Sequence, residues 1–165
     1  MKVQLTTSLG SIVLQLDAEK APATVENFVQ YVRDGHYDGT IFHRVISDFM
    51  IQGGGLDQSM TPKSTRDPIQ NEADNGLRNV LGSVAMARTP DPHSASAQFF
   101  INTTDNGFLD FREKSEDGWG YCVFGQVVDG MDVVEKIEET PTTRRAGYAD
   151  VPVDVILIEK AEILG

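Results

Sequence analysis

The chain is poor in the residues that most chemistries require. Its 165 residues include one cysteine, Cys122, so no intrachain disulfide can form and nothing calls for an oxidising compartment; a cytoplasmic protein is expected. No apolar run approaches the roughly 20 residues that span a bilayer, and the opening Met1-Lys2-Val3-Gln4-Leu5-Thr6 is too interrupted for a signal peptide. Neither membrane insertion nor export is expected. Basic residues are scarce: 14 Lys and Arg face 25 Asp and Glu, a net charge of −11 that repels phosphate backbones and anionic lipid. Nucleic acid and membrane are therefore excluded as first partners. The three histidines, His36, His43 and His93, have no metal-ligand spacing among themselves or with Cys122. His43, set among apolar neighbours, is expected to be a hydrogen-bonded structural residue. Gln52-Gly53-Gly54-Gly55 lacks the Lys-Ser/Thr pair of a phosphate cradle and reads as a bend, and no Gly-x-Ser-x-Gly elbow supports covalent hydrolysis. Neither metal nor cofactor is expected.

What is present is ordinary globular material, 40% hydrophobic and 24% charged, enough for one domain spanning 1–165. Val3 and Leu5, then Ile12, Leu14 and Leu16, alternate around Ser8-Leu9-Gly10 and predict a hairpin. Val25, Phe28, Val29 and Val32 follow Pro22 at helical spacing and predict a helix from Pro22 to Arg33; a second is predicted from Met131 to Glu138. Strand-like segments lie at 40–46, 49–52, 83–87, 98–102, 121–128 and 153–163. Short strands without a helix after each one predict an antiparallel sheet closed into a barrel, with the two helices at its ends. The polar stretch 57–81 is long enough that a functional role is expected of it.

The strand faces carry the first hint of a site. Met50 and Gln52 share one face of their strand, Gln98 and Phe100 one face of theirs, and Ile51, Phe99 and Ile101 point the other way. If the latter fill the barrel, Met50 and Phe100 are left outside it, either beneath a covering loop or lining an apolar groove. Arg44, placed in phase with Phe42 and Ile46, needs a reason; an edge ion pair is the plain one, and the company of Gln52, Gln98, Met50 and Phe100 favours a binding role.

These segments resemble the cyclophilins, peptidyl-prolyl cis-trans isomerases, and especially their small bacterial members. The resemblance rests on Phe42-His43-Arg44-Val45-Ile46 with Phe49-Met50-Ile51-Gln52-Gly53-Gly54-Gly55, on Ser96-Ala97-Gln98-Phe99-Phe100-Ile101, and on Val123-Phe124-Gly125-Gln126-Val127 with Asp129-Gly130-Met131, in family order. It implies a mainly β fold, a closed eight-stranded antiparallel barrel capped by two α-helices, with the catalytic groove on the outer wall. Carried over by position, Arg44 is the catalytic arginine, assisted by Gln52. Phe49, Met50, Phe100, Phe108 and Leu109 line the proline pocket, Tyr121 stands where many members have a pocket histidine, and Gln52 and Gln98 help hold the peptide. Main-chain groups near Ala87, Arg88 and Thr89 would grip an extended substrate. Phe108 replaces the tryptophan that helps eukaryotic members bind cyclosporin, which implies reduced drug affinity.

The resemblance implies an isomerase acting on proline-containing peptides and on unfolded or folding proteins, cofactor-independent and monomeric. Two alternatives use the same residues differently. A proline-peptide-binding chaperone module would use the groove with little turnover and would not need a fixed donor such as Arg44. A small-ligand barrel of lipocalin type would need a roomy lumen, against the abundance of inward Phe, Ile, Val and Leu.

Overall fold

The computed structural model describes residues 1–165. The expected hairpin forms between β1 (Lys2–Thr7) and β2 (Gly10–Leu16), with Val3, Leu5, Ile12, Leu14 and Leu16 all buried on one face. Helix α1 (Pro22–Arg33) follows, then β3 (Thr40–Ile46) and β4 (Met50–Asp57). After the long 57–82 connection come β5 (Ser83–Met86), β6 (Phe99–Asn102), β7 (Val123–Asp129) and α2 (Met131–Glu138). A small hairpin of β8 (Thr142–Arg145) and β9 (Tyr148–Pro152) precedes β10 (Leu157–Leu164). Eight strands close into an antiparallel barrel in the order β1-β10-β3-β4-β6-β5-β7-β2, and β8-β9 forms a separate two-stranded sheet.

Both helices occur where the apolar spacing places them. Val25, Phe28, Val29 and Val32 of α1 and Val133, Val134 and Ile137 of α2 join one core cluster of 30 buried residues that fills the lumen. Phe28 sits at its centre, 5.0 Å from Tyr37, 5.6 Å from Phe99 and 5.1 Å from Phe124 between ring centroids. Removing such a ring would cost about 3–5 kcal/mol. A lumen packed in this way leaves no room for a lipocalin-type ligand.

Four features differ from the sequence expectation. The glycine run is not a bend: β4 continues through Gly53, Gly54 and Gly55 to Asp57. It carries surplus residues there, since Thr40 faces Asp57 while Phe42 faces Gly53, so two steps of β3 oppose four of β4. Gly54 has φ of +89°, and a Cβ on it would lie 2.8 Å from the Tyr37 ring, so no side chain fits. Second, Arg44 is out of phase with Phe42. Phe42 faces Gly53 and Arg44 faces Gln52, so β3 holds one extra residue here; the bulge leaves Phe42 in the lumen and turns Arg44 to the outside. Third, buried His43 lies beneath the β8–β9 hairpin, 5.8 Å edge-on from Tyr148, and its Nδ1 has no hydrogen-bond partner. Packing, not hydrogen bonding, fixes it. Fourth, the final strand begins at Leu157 rather than 153: a β8–β9 hairpin that the sequence pattern did not disclose ends at Pro152, and residues 153–156 bend between it and β10.

Candidate active site

The two-faced strands leave a second, smaller apolar cluster on the outside of the barrel. Met50 of β4, Phe100 of β6, Ala85 of β5 and Val123 of β7 form it, flanked by the half-buried Ile46, Phe49, Leu77, Ala87, Leu109 and Tyr121. Register brings these residues together: Gln52 lies opposite Phe100, and Phe100 opposite Ala85. Above this floor opens a cavity of about 330 Å³ lined by Arg44, Phe49, Met50, Gln52, Ala87, Arg88, Phe100, Phe108, Leu109 and Tyr121. Phe108 stacks on Phe49 at 5.8 Å with 23° between planes, and Tyr121 meets Phe100 edge-on at 5.8 Å. The result is an apolar box sized for a small ring, open to solvent on one side.

One polar rail runs along its edge. Arg44 Nη1 donates to Gln52 Oε1 at 3.4 Å, and Gln52 Nε2 donates to Gln98 Oε1 at 2.9 Å. Gln98 reaches this position because Gly55 has no Cβ; a methyl there would occupy the space of the Gln98 side chain. Arg44 forms no ion pair and makes no other side-chain hydrogen bond, so most of its five donors remain free. Its neighbour His43 is pushed down to about 4, by burial first and by the Arg44 charge second, and is therefore neutral around pH 7.

Of the twelve residues singled out from the sequence, ten line the apolar cavity and two do not. Thr89 and Gln98 border an adjoining cavity of about 220 Å³, together with Gln52, Ala87, Arg88, Ser94 and Ser96. Gln52, Ala87 and Arg88 form the boundary between the two. Ser94 and Ser96 escaped sequence reasoning because loop residues follow no period. A larger hollow of about 700 Å³, between the end of β2 and residues 77–80, shares only Leu77 and Val123 with the outer cluster and contains none of the Arg44 rail.

The site can hold and polarise, but it has no evident nucleophile. Cys122 is buried away from the cavity, its thiol pushed up to about 11 by burial, with Thr24 Oγ1 3.5 Å away. What the arrangement offers is an apolar ring pocket with a fixed guanidinium at its rim.

The sequence and the fold both match known proteins. The family model described as "Cyclophilin type peptidyl-prolyl cis-trans isomerase/CLD" matches residues 2–163. The chain is 63% identical over 163 residues to the peptidyl-prolyl cis-trans isomerase cyp18 of Streptomyces antibioticus, covering 99% of this chain and 98% of that one. It is 55% identical over 161 residues to peptidyl-prolyl cis-trans isomerase B of Escherichia coli K12, covering 98% of each. A crystal structure of a Cryptosporidium parvum cyclophilin-type isomerase, determined in the presence of the dipeptide Ala-Pro, superposes with a TM-score of 0.85 at 26% identity, covering 100% of this chain and 99% of that one.

Proposed function

The chain belongs to the cyclophilin-type peptidyl-prolyl cis-trans isomerase family and is itself an isomerase of Xaa-Pro bonds, and from that premise we propose that Arg44 is its catalytic residue. The observation that supports this is the placement of a guanidinium with free donors at the rim of an apolar cavity sized for a pyrrolidine ring.

Rotating the bond breaks amide resonance against a barrier of about 18–20 kcal/mol. As the bond twists, the proline nitrogen becomes pyramidal and gains a lone pair that the planar isomers lack. A donor from Arg44 to that nitrogen stabilises the twisted state more than either ground state, and each ~1.4 kcal/mol so gained is tenfold in rate. No covalent intermediate, metal or change of protonation is needed. Phe49, Met50, Phe100, Phe108, Leu109 and Tyr121 hold the ring, while Gln52 orients Arg44 and contacts the peptide. Gln98 and the main chain near Ala87, Arg88 and Thr89 grip the flanking residues.

On this reading residues 1–165 form one monomeric domain that acts in the cytoplasm on proline-containing segments of unfolded or folding chains and binds cyclosporin weakly. No helix is long and apolar enough to cross a membrane. The deciding experiment is isomerisation of a short Ala-Pro peptide by Arg44→Ala. A folded variant is expected to lose about 100-fold or more in kcat/KM, the cost of one transition-state donor, and near-wild-type turnover would reject the role. Arg44→Lys should also be poor, because a point-like ammonium cannot reproduce the planar fork.

A further inference from the structure

The groove has two loop walls, residues 87–98 on one side and 109–121 on the other, and nothing in the β-ladder joins them directly. They meet at the Gly120 carbonyl. Arg88 Nε donates to it at 3.0 Å from the first wall, while Arg88 Nη1 donates to the carbonyl of Thr89 at 2.8 Å and reaches that of Pro90 at 3.4 Å. The same guanidinium lies over the Tyr121 ring, 4.4 Å from its centroid. A third loop converges here: Asn71 Nδ2 donates to the Gly120 carbonyl at 3.1 Å, and the Asn71 N–H donates to His93 Nδ1 at 3.1 Å. His93 in turn packs edge-on against Trp119, with ring centroids 4.9 Å apart. Gly120 has φ of +71° and no space for a Cβ, so the carbonyl direction is fixed by a backbone that only glycine adopts comfortably.

We propose that Arg88 is a positioning residue that ties the two walls of the groove together through the Gly120 carbonyl and holds Tyr121 in place, so that the pocket has its bound width before the peptide arrives. The proposal deepens the isomerase reading of this site and rests on it. The fork geometry of arginine matters: its Nε and Nη1 edges serve opposite walls while its face covers the ring, a combination an ammonium cannot make. Arg88 also borders both groove cavities and a third of about 350 Å³ beyond Phe108 and Tyr121, so releasing it would widen all three at once. Preorganisation of this kind lowers the ordering cost of binding. Its signature is an effect on KM rather than on the twisting step.

The test compares wild type, Arg88→Ala and Arg88→Lys by isomerisation kinetics and by emission of Trp119, the only tryptophan and the residue next to Gly120. Both variants are expected to raise KM about fivefold to tenfold, the range of one or two lost hydrogen bonds, with kcat within about twofold and a red-shifted Trp119 emission. Unchanged KM and emission in either folded variant would overturn the proposal, as would a fall in kcat at constant KM, which would make Arg88 a catalytic group instead. Should Arg88→Ala not fold, Arg88→Lys retains the aliphatic stem and carries the same test. Arg44→Ala run alongside separates the two readings: full turnover there would remove the isomerase assignment of Arg44, while Trp119 emission would still report whether Arg88 joins the walls.

Discussion

The carboxylate of Glu72 caps helix α1 at Thr24, across 48 residues of sequence. Its Oε1 accepts from both the Thr24 N–H and the Thr24 hydroxyl at 2.7 Å, and its Oε2 from the Ala23 N–H at 3.4 Å. The helix needs this because it has no side-chain cap of its own: Ala21 stands at the N-cap, Pro22 opens the first turn and no acidic residue follows in it. The long 57–82 connection is thereby anchored next to Asn71, which bonds the Gly120 carbonyl at the groove wall. Through Glu72 and Asn71 this polar stretch joins helix α1 to the groove wall.

Glu72→Ala should therefore destabilise the fold by about 1–2 kcal/mol, the ordinary worth of a helix cap with a charge at the dipole's positive end. At this chain length that corresponds to a Tm lower by roughly 2–8 °C. Thermal unfolding followed by circular dichroism checks it, and an unchanged Tm would mean that water replaces the carboxylate without loss.

Gly55→Ala isolates the polar rail from the rest of the groove. The backbone at Gly55 is not in the left-handed region, so alanine itself is tolerated, but its Cβ would displace the Gln98 side chain. The 2.9 Å bond from Gln52 to Gln98 would break and leave Gln52 free to turn from Arg44. We expect kcat/KM to fall about tenfold, the equivalent of one hydrogen bond of ~1.4 kcal/mol, with the midpoint of chemical unfolding shifted by little. A variant with wild-type turnover would show that Gln98 does not position the rail.

Much of this was legible in the sequence, and what was not has a local cause. The two helices follow from period-3.6 spacing and occur with the bounds that Pro22, Arg33, Met131 and Glu138 mark. The outward placement of Met50 and Phe100 follows from alternation alone. Alternation also put Arg44 in phase with Phe42, and there it failed, because a bulge shifts the phase by one residue without any signature in composition. The β8–β9 hairpin lacked a signal because all of Thr142-Thr143-Arg144-Arg145 is polar, so neither period could emerge. The clamp at Gly120 joins residues 71, 88 and 120, and such convergence of loops leaves no periodic trace.

The pH dependence of stability has a definite sign. His43 sits with its folded pKa lowered to about 4 from an ordinary 6.5, by burial and then by Arg44, and His36 is lowered as well, chiefly by burial. Between these values the unfolded chain binds more protons than the folded one, so stability from His43 is full above pH 6.5 and is lost as pH falls to about 4. The loss is on the order of 3 kcal/mol for a shift of this size. Stability curves at pH 7 and pH 4.5 should differ in this direction, and His43→Phe should flatten the difference. Turnover between pH 6 and 8 should stay level, since His43 stays neutral there and the mechanism uses no titrating base; a histidine-like inflection in the catalytic step would contradict the mechanism.

Phe108 offers a test of how far the pocket rim separates drug binding from catalysis. It is 70% exposed, far more than the other rings of the pocket, and is supported on one face by Phe49. A proline ring needs only an apolar wall, which phenyl already supplies. An indole adds apolar area and an N–H donor, so a larger ligand that presents a carbonyl at the rim gains both a hydrogen bond and buried surface. Phe108→Trp is therefore expected to tighten cyclosporin binding about tenfold or more, while kcat/KM for a short Ala-Pro peptide changes by less than about threefold. Because the side chain is exposed and stacked on one side only, the larger ring needs no repacking of the core. Titration of both proteins with the drug, beside parallel isomerisation assays, decides the matter. Unchanged affinity in the folded variant would mean either that the rim does not meet the drug or that Tyr121 and the Arg88 guanidinium stacked on it control its entry.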